Sequence, residues 1–236
     1  MDLEKLFFCP VYYKNFGNKV RDLNKRLIAD IDKEMLEYET DHNRSFVKNG
    51  HTWQSRHKME NRHDSFREFA DLIESVYDCS CRSVWANVIF GAGGFSRPHN
   101  HGARVDIPKT VKGSRGDRLH MPTQKQLNRK EDLGRYSQAS TGVYYPKGLV
   151  KIDNLDDLDE TKLFMPRWNG SDEGVLVFFD PTSYLRGTND VATVRPRESL
   201  LLLFPAWLTH MVAPMATNTK RYSMSFTLKP LVDSEI

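Results

Sequence analysis

The chain has 236 residues, with 34 Lys and Arg against 31 Asp and Glu and a formal net charge of +3. Its mean hydropathy is −0.58 and its pI is near 8.7. These values suit one large domain with its own core, exclude membrane-spanning helices built from runs of about 18 apolar residues, and single out neither a nucleic-acid nor a membrane partner. Three cysteines, Cys9, Cys79 and Cys81, make no disulfide framework, and one Cys-x-Cys is a weak metal clip, so free thiols are expected. The apolar patch in MDLEKLFFCPVYYK is too short and too charged for a secretory leader. The expectation is a cytoplasmic protein with no membrane association; nothing in the composition fixes an oligomeric state.

In chain order, the first 80 residues read as a helical N-terminal part. Val20, Leu23, Leu27, Ile31 and Met35 recur at helical spacing between Asn18 and Glu37, with charged residues on the opposite face. Ser65-x-x-Glu68 has the form of a capping box that opens a second helix, whose apolar face is Phe66, Phe69, Ala70, Ile73, Val76 and Tyr77. Both stripes read as packing surface.

Beyond Cys81 the pattern changes to short runs rich in β-branched and aromatic residues, bounded by Gly, Pro, Asn or Asp: SVWANVIF, STGVYYP, GVLVFFD, SLLLLFP and RYSMSFTL. Short strands without intervening helices predict a sandwich, jelly roll or barrel. In the last run Arg221, Ser223, Ser225 and Thr227 share one face, and Tyr222, Met224, Phe226 and Leu228 the other. The apolar face is expected to pack on the N-terminal helices and the polar face to line a cavity. Two long polar segments interrupt the strands. Residues 104–139 hold nine Lys and Arg against four Asp and Glu, and residues 151–173 begin with the acidic KIDNLDDLDE. The basic segment reads first as a solvated surface and second as a guide for an anionic substrate.

The chemistry-bearing residues begin with SRPHNHGARV. Side chains at i and i+2 of an extended segment point the same way, so His99 and His101 can face one metal, and Pro98 favours extension of the residue before it. Near the far end, His210 is followed eleven residues later by Arg221-x-Ser223. Antiparallel pairing of the His210 and Arg221 strands is the expected arrangement, with a histidine at the mouth and an Arg-x-Ser at the floor. The guanidinium fork and the hydroxyl then suit a metal-chelating dicarboxylic acid.

These stretches resemble the Fe(II)/2-oxoglutarate-dependent oxygenases of bacteria and their phages, a group related to the prolyl hydroxylases. LFFCPVYYKNFG looks like the family's opening strand. NGHTWQS is similar to its Gly-Gly-Trp-Gln-Ser element, with only Gly50 of the glycines in place, and VWANV to its Trp-x-Asn-Val strand. HNH, STGVYY, FFDP and FPAWLTHMVAP with KRYSMSF continue the likeness, the last block being the most specific.

The resemblance implies a mainly β fold with N-terminal α-helices: a double-stranded β-helix of the jelly-roll or cupin type with helices backing one sheet. The whole of 1–236 would be a single oxygenase domain, 1–80 its helical part and 81–236 its β-helix core. By the same resemblance His99, His101 and His210 would hold Fe(II), and Arg221 with Ser223 would bind the far carboxylate of 2-oxoglutarate. Tyr145 stands where related prolyl hydroxylases have a tyrosine that helps hold that carboxylate, Tyr144 should point the other way, and Trp85 and Asn87 share a face that would wall the site. O2 would be the third reactant, the product a hydroxylated substrate, and the segments 104–139 and 151–173 a lid. Protein side chains, nucleic-acid bases and small metabolites all fit as substrates.

Two features depart from the pattern. Better-known relatives use His-x-Asp or His-x-Glu, whereas the middle ligand here would be His101. A three-histidine set is the arrangement of cupin-type thiol dioxygenases, which use no oxo acid. His101-Gly102-Ala103 can also be read as the carboxylate-free pattern of halogenases, with His99 outside the metal's ligands; Asp106 is out of the i+2 relation. The second departure is the length of the segment between His101 and STGVYY. A jelly-roll binding module without catalysis is the remaining alternative.

Overall fold

The computed structural model describes residues 2–6, 9–40, 46–48, 51–77, 79–101, 140–149, 153–156, 163–165, 172–180 and 191–230. The basic segment 104–139 lies outside the described residues, as does most of 151–173.

The chain opens with strands β1 (Asp2–Leu6) and β2 (Cys9–Asn15), then a short 3₁₀ turn, Gly17–Val20, that runs into helix α1 (Arg21–Thr40). Strands β3 (Phe46–Lys48) and β4 (Thr52–Gln54) precede helix α2 (Asp64–Val76). The long strand β5 (Cys79–Phe90) leads to β6 (Ser96–His99), β7 (Ser140–Tyr144), β8 (Phe164–Met165) and β9 (Leu176–Phe179). The chain continues through β10 (Val191–Val194), β11 (Leu200–Pro205), β12 (His210–Val212) and β13 (Lys220–Pro230). The helices fall where the spacing predicts them, but the first 80 residues also supply four strands, too short or too mixed to show a period of two. Residues 164–165 likewise form a strand inside a segment that reads as loop.

Two antiparallel sheets result. The larger runs β1-β2-β11-β7-β13-β5-β4-β3 and the smaller β6-β12-β9-β10-β8. Strand β13 sits in the middle of the larger sheet, paired with β5 and β7. Strand β12 belongs to the smaller, between β6 and β9. The expected pairing of the His210 and Arg221 strands is therefore corrected: they lie in opposite sheets. The loop between them carries the chain from one sheet to the other, a crossing that strand periodicity does not reveal.

Alternation along β13 divides the interior in two. Tyr222, Met224, Phe226 and Leu228 pack with Leu23, Leu27 and Ile31 of α1 and Phe66, Phe69 and Ile73 of α2. Leu200, Leu202 and Phe204 of β11 join Leu176 and Phe178 of β9 and Val194 of β10 between the sheets. Burying a side chain of this size contributes about 1.5–3 kcal/mol, so both helices are held chiefly by their apolar faces. Polar groups set their registry. Glu34 of α1 is almost wholly buried and meets His63 at 2.8 Å and Arg62 at 3.0 Å.

The capping box does not form. His63, in an extended conformation, is the N-cap of α2 and makes no side-chain cap bond. Ser65 lies inside the first turn and donates to Asp30 of α1, while Glu68 pairs with Arg26 at 2.7 Å. The two residues tie the helices together, which local sequence could not distinguish from capping. At the sheet, the Tyr144 hydroxyl donates to Asn24 of α1, and Asn24 donates to Ser199 at 3.1 Å. Cys79 and Cys81 are free thiols. No helix among the described residues is long and apolar enough to cross a membrane.

Gly142 of β7 lies opposite Phe226 of β13, and a Cβ there would stand 2.2 Å from the Phe226 ring and 2.5 Å from the Leu202 carbonyl oxygen. Gly142→Ala is expected to lower stability by about 1–3 kcal/mol, read from urea midpoints. Adding Phe226→Leu should relieve the ring contact yet not restore the midpoint, because the carbonyl cannot move aside.

Candidate active site between the two sheets

The sheets enclose a cavity of about 700 Å³. The larger sheet contributes Thr52 and Gln54 from β4, Trp85, Asn87 and Ile89 from β5, and Arg221, Ser223 and Ser225 from β13. Facing them are Arg97 and His99 from β6, His101 just beyond it, and His210 from β12.

Strand pairing brings the three histidines together. His210 of β12 is the register partner of His99 of β6, and the His101 amide donates to the Ala206 carbonyl at 2.9 Å, which keeps that segment beside the turn before β12. Ring centroids are 4.4 Å apart for His99 and His210, 5.3 Å for His99 and His101, and 5.2 Å for His101 and His210. One nitrogen of each lies within 4.8 Å of the others. A metal bonded to imidazole at about 2.0–2.1 Å is within reach of all three after small ring rotations. His99, the ligand that a halogenase-like site leaves out, sits inside this cluster.

Tautomers follow from the bonds. Nδ1 of His210 lies 2.9 Å from the Leu208 carbonyl, and Nδ1 of His99 lies 2.7 Å from the Arg97 carbonyl. A carbonyl only accepts, so each Nδ1 carries the proton and each Nε2 keeps its lone pair. Burial, together with neighbouring His99 and His101, holds the His210 pKa down at about 3. Neutral imidazole is the form that binds metal. The Trp85 ring stands 5.7 Å from His101 and 4.5 Å from His57.

At the floor, Arg221 is 2% exposed. Its Nε donates to the Gly174 carbonyl at 2.8 Å, and its two terminal nitrogens donate to Ser223 Oγ at 3.1 Å and the Tyr145 hydroxyl at 3.4 Å. Gly174 sits at φ +63°, and a Cβ there would stand 2.6 Å from Met215 Sδ and 2.7 Å from Leu149 Cδ1. Among the described residues no carboxylate pairs with Arg221. A guanidinium stays charged, and a buried charge with no counter-charge costs several kcal/mol. The donor set suits a bound anion. Burial does push the Arg221 pKa down, with Tyr145 opposing it.

Tyr145, expected at the carboxylate, is fully buried behind the guanidinium, whose Cζ lies 5.1 Å from its ring centroid, and Tyr144 points the other way into the helix-side core. Trp85 and Asn87 line the cavity together; the Asn87 side chain donates to Ser225 at 3.1 Å. Sequence reasoning missed Thr52, Gln54, His57 and Arg97. The first two alternate within HTWQS, a signal hidden by the shortness of β4. Arg97 stands two residues before His99, and only the extended conformation shows that they share a face.

Residues 136–227 match the model of the family described as "Putative 2OG-Fe(II) oxygenase". The match spans less than half of the chain. The stretch holds Tyr145, His210, Arg221 and Ser223. The family's cofactors are Fe(II) and 2-oxoglutarate, with O2 as the oxidant, and its members are enzymes. No curated protein matches the chain.

The structure is similar to a prolyl-4-hydroxylase from Pseudomonas putida, with TM-score 0.54 and 12% identity over 94% of this chain and 92% of that one. It is similar to HygX from Streptomyces hygroscopicus, solved with nickel and 2-oxoglutarate, with TM-score 0.53 and 12% identity over 94% and 83%. A Trichoplax adhaerens prolyl hydroxylase, in complex with a hypoxia-inducible-factor peptide, gives TM-score 0.51 and 13% identity over 93% and 83%. These likenesses give the fold, which is the expected double-stranded β-helix.

His210 titrates near 6.5 when unfolded and near 3 when folded. Between these values the unfolded chain binds a proton that the native chain does not, so this histidine makes stability rise with pH across the window. Urea unfolding of metal-free protein at pH 4.5 and 7 should show this, and His210→Asn should shrink the difference.

Proposed function

We propose that the protein is a cytoplasmic Fe(II)- and 2-oxoglutarate-dependent oxygenase that hydroxylates its substrate while 2-oxoglutarate is decarboxylated to succinate, the whole chain acting as one domain. The observation that carries the reading is the convergence, in one cavity, of three imidazole nitrogens within 4.8 Å of one another with a buried guanidinium that no described carboxylate pairs. His99, His101 and His210 would hold the iron through Nε2 in at least two cases, since the Nδ1 atoms of His99 and His210 are spent on carbonyls. Arg221 and Ser223 would bind the far carboxylate of 2-oxoglutarate, and Tyr145 would hold the guanidinium from behind.

Imidazole suits iron, so His99, His101 and His210 would be the residues that hold it. When bound, these cofactors supply the oxidising chemistry. The chain supplies position and dryness. Gly174, Ser223 and Tyr145 fix the plane of the Arg221 guanidinium, so it presents its donors without reorganising. Leu176, Val212 and Phe204 give the cavity apolar walls, and of the three histidines His210 is buried. A three-histidine dioxygenase that takes no oxo acid leaves the Arg221 charge without a purpose, and a non-catalytic module leaves the converged imidazoles without one.

Anaerobic titration of Fe(II)-loaded protein with 2-oxoglutarate tests the reading through the weak visible absorption of the complex. His99→Ala, His101→Ala and His210→Ala should each abolish the absorption. Arg221→Met should weaken 2-oxoglutarate binding by about 30-fold or more. Absorption that survives His101→Ala would remove that residue from the ligand set, and an unchanged affinity in Arg221→Met would sink the carboxylate assignment.

A further inference from the structure

Among the described residues, the cavity lining carries charge of one sign. Its described residues include two arginines, Arg97 and Arg221, and no aspartate or glutamate. Arg97 precedes His99 by two residues on β6, so the strand period turns both to the cavity, and its side chain is exposed. Among the described residues no carboxylate pairs with it.

The all-imidazole donor set adds to this imbalance. A His-x-Asp or His-x-Glu set cancels part of the charge of a divalent metal; neutral imidazoles cancel none. The dianion of 2-oxoglutarate offsets the metal alone, which leaves the charges of Arg221 and Arg97 over. Apolar walls of Trp85, Phe95, Leu176 and Phe204 lower the local dielectric, so the excess acts more strongly on an entering group than it would in water. A cationic substrate would meet no described side chain able to offset it.

We propose that the substrate carries an anionic group, a carboxylate or a phosphate, and that Arg97 receives it beside the metal. This inference rests on the oxygenase reading above, because the bookkeeping of charge includes the metal and the oxo acid. The guanidinium fork matches either anion in two-point contact. Arg221 does not serve, since it is buried at the floor and committed to the oxo acid. Arg97 is exposed and lines the cavity on the histidine side.

The test uses Fe(II)-loaded protein, held anaerobic at low ionic strength and saturated with 2-oxoglutarate. It is titrated calorimetrically with benzoate, phenyl phosphate, benzamide and benzylamine. At least one anion should bind ten times more tightly than benzamide, and benzylamine should not bind. Which anion binds separates a carboxylate-bearing from a phosphate-bearing substrate. Arg97→Met should bring the anions to the level of benzamide, and Arg97→Lys should retain part of the preference. Equal binding of benzamide and both anions, tighter binding of benzylamine, or a preference that survives Arg97→Met overturns the proposal. So does loss of the visible absorption as benzoate is added, which would place the anion on Arg221 by displacing 2-oxoglutarate. The two readings fail separately. Absence of 2-oxoglutarate binding at the outset ends the oxygenase reading and this inference with it; normal 2-oxoglutarate binding without an anion preference ends this inference alone.

Discussion

Strand β13 carries the constraint on which the rest of the molecule hangs, because a strand's period of two forces each neighbour pair of side chains into different environments. Its even-numbered residues, Tyr222 to Leu228, close the core beneath the helices, and its odd-numbered ones, Arg221 to Ser225, face the cavity. A slip of one residue would put a guanidinium among Phe69, Leu27 and Ile31 and expose Phe226 to the site. Pairing with both β5 and β7 holds the register. Packing energy on the helix side thus holds the position of the charge on the other. The two functions of the strand are not separable.

The same logic explains why the site lies between sheets. His99 of β6, His101 just beyond it and His210 of the adjacent β12 meet in a triangle on the smaller sheet, while the arginine projects from the opposite sheet. On the proposed reading a metal would be held on one wall and a carboxylate on the other, and an oxo acid that chelates one and ion-pairs with Arg221 would bridge them. Placing both on one sheet would align them along a surface and leave the second wall without a role. Gly174 and Tyr145 complete the arrangement by accepting hydrogen bonds from the guanidinium.

Polar residues outside the cavity work as fasteners. Ser65, Glu68, Glu34 and Asp30 link the helices to each other, and Asn24 links α1 to the sheet through Tyr144 and Ser199. Apolar burial supplies most of the attraction but is non-directional, so these bonds select one registry of helices on sheet. The failed capping box belongs here. Ser and Glu at that spacing satisfy backbone donors in an isolated helix, yet a second helix alongside offers Asp30 and Arg26 as partners, and the tertiary partners win.

By itself the sequence determined the elements whose pattern is local: both helix faces, the five hydrophobic strands, the division of β13 into two faces, and the residue types that converge. His99 and His101 share a side because an extended chain repeats every two residues, and Pro98 helps to keep it extended. Only the tertiary structure decided which sheet each strand enters, and so that His210 faces Arg221 across a cavity rather than along a shared ladder. It alone brought Thr52, Gln54, His57 and Arg97 to the lining and put Tyr145 behind the guanidinium. The physical reason is that pairing and crossing depend on backbone hydrogen bonds between distant segments. Those bonds involve groups that every residue carries and leave no mark on the order of side chains.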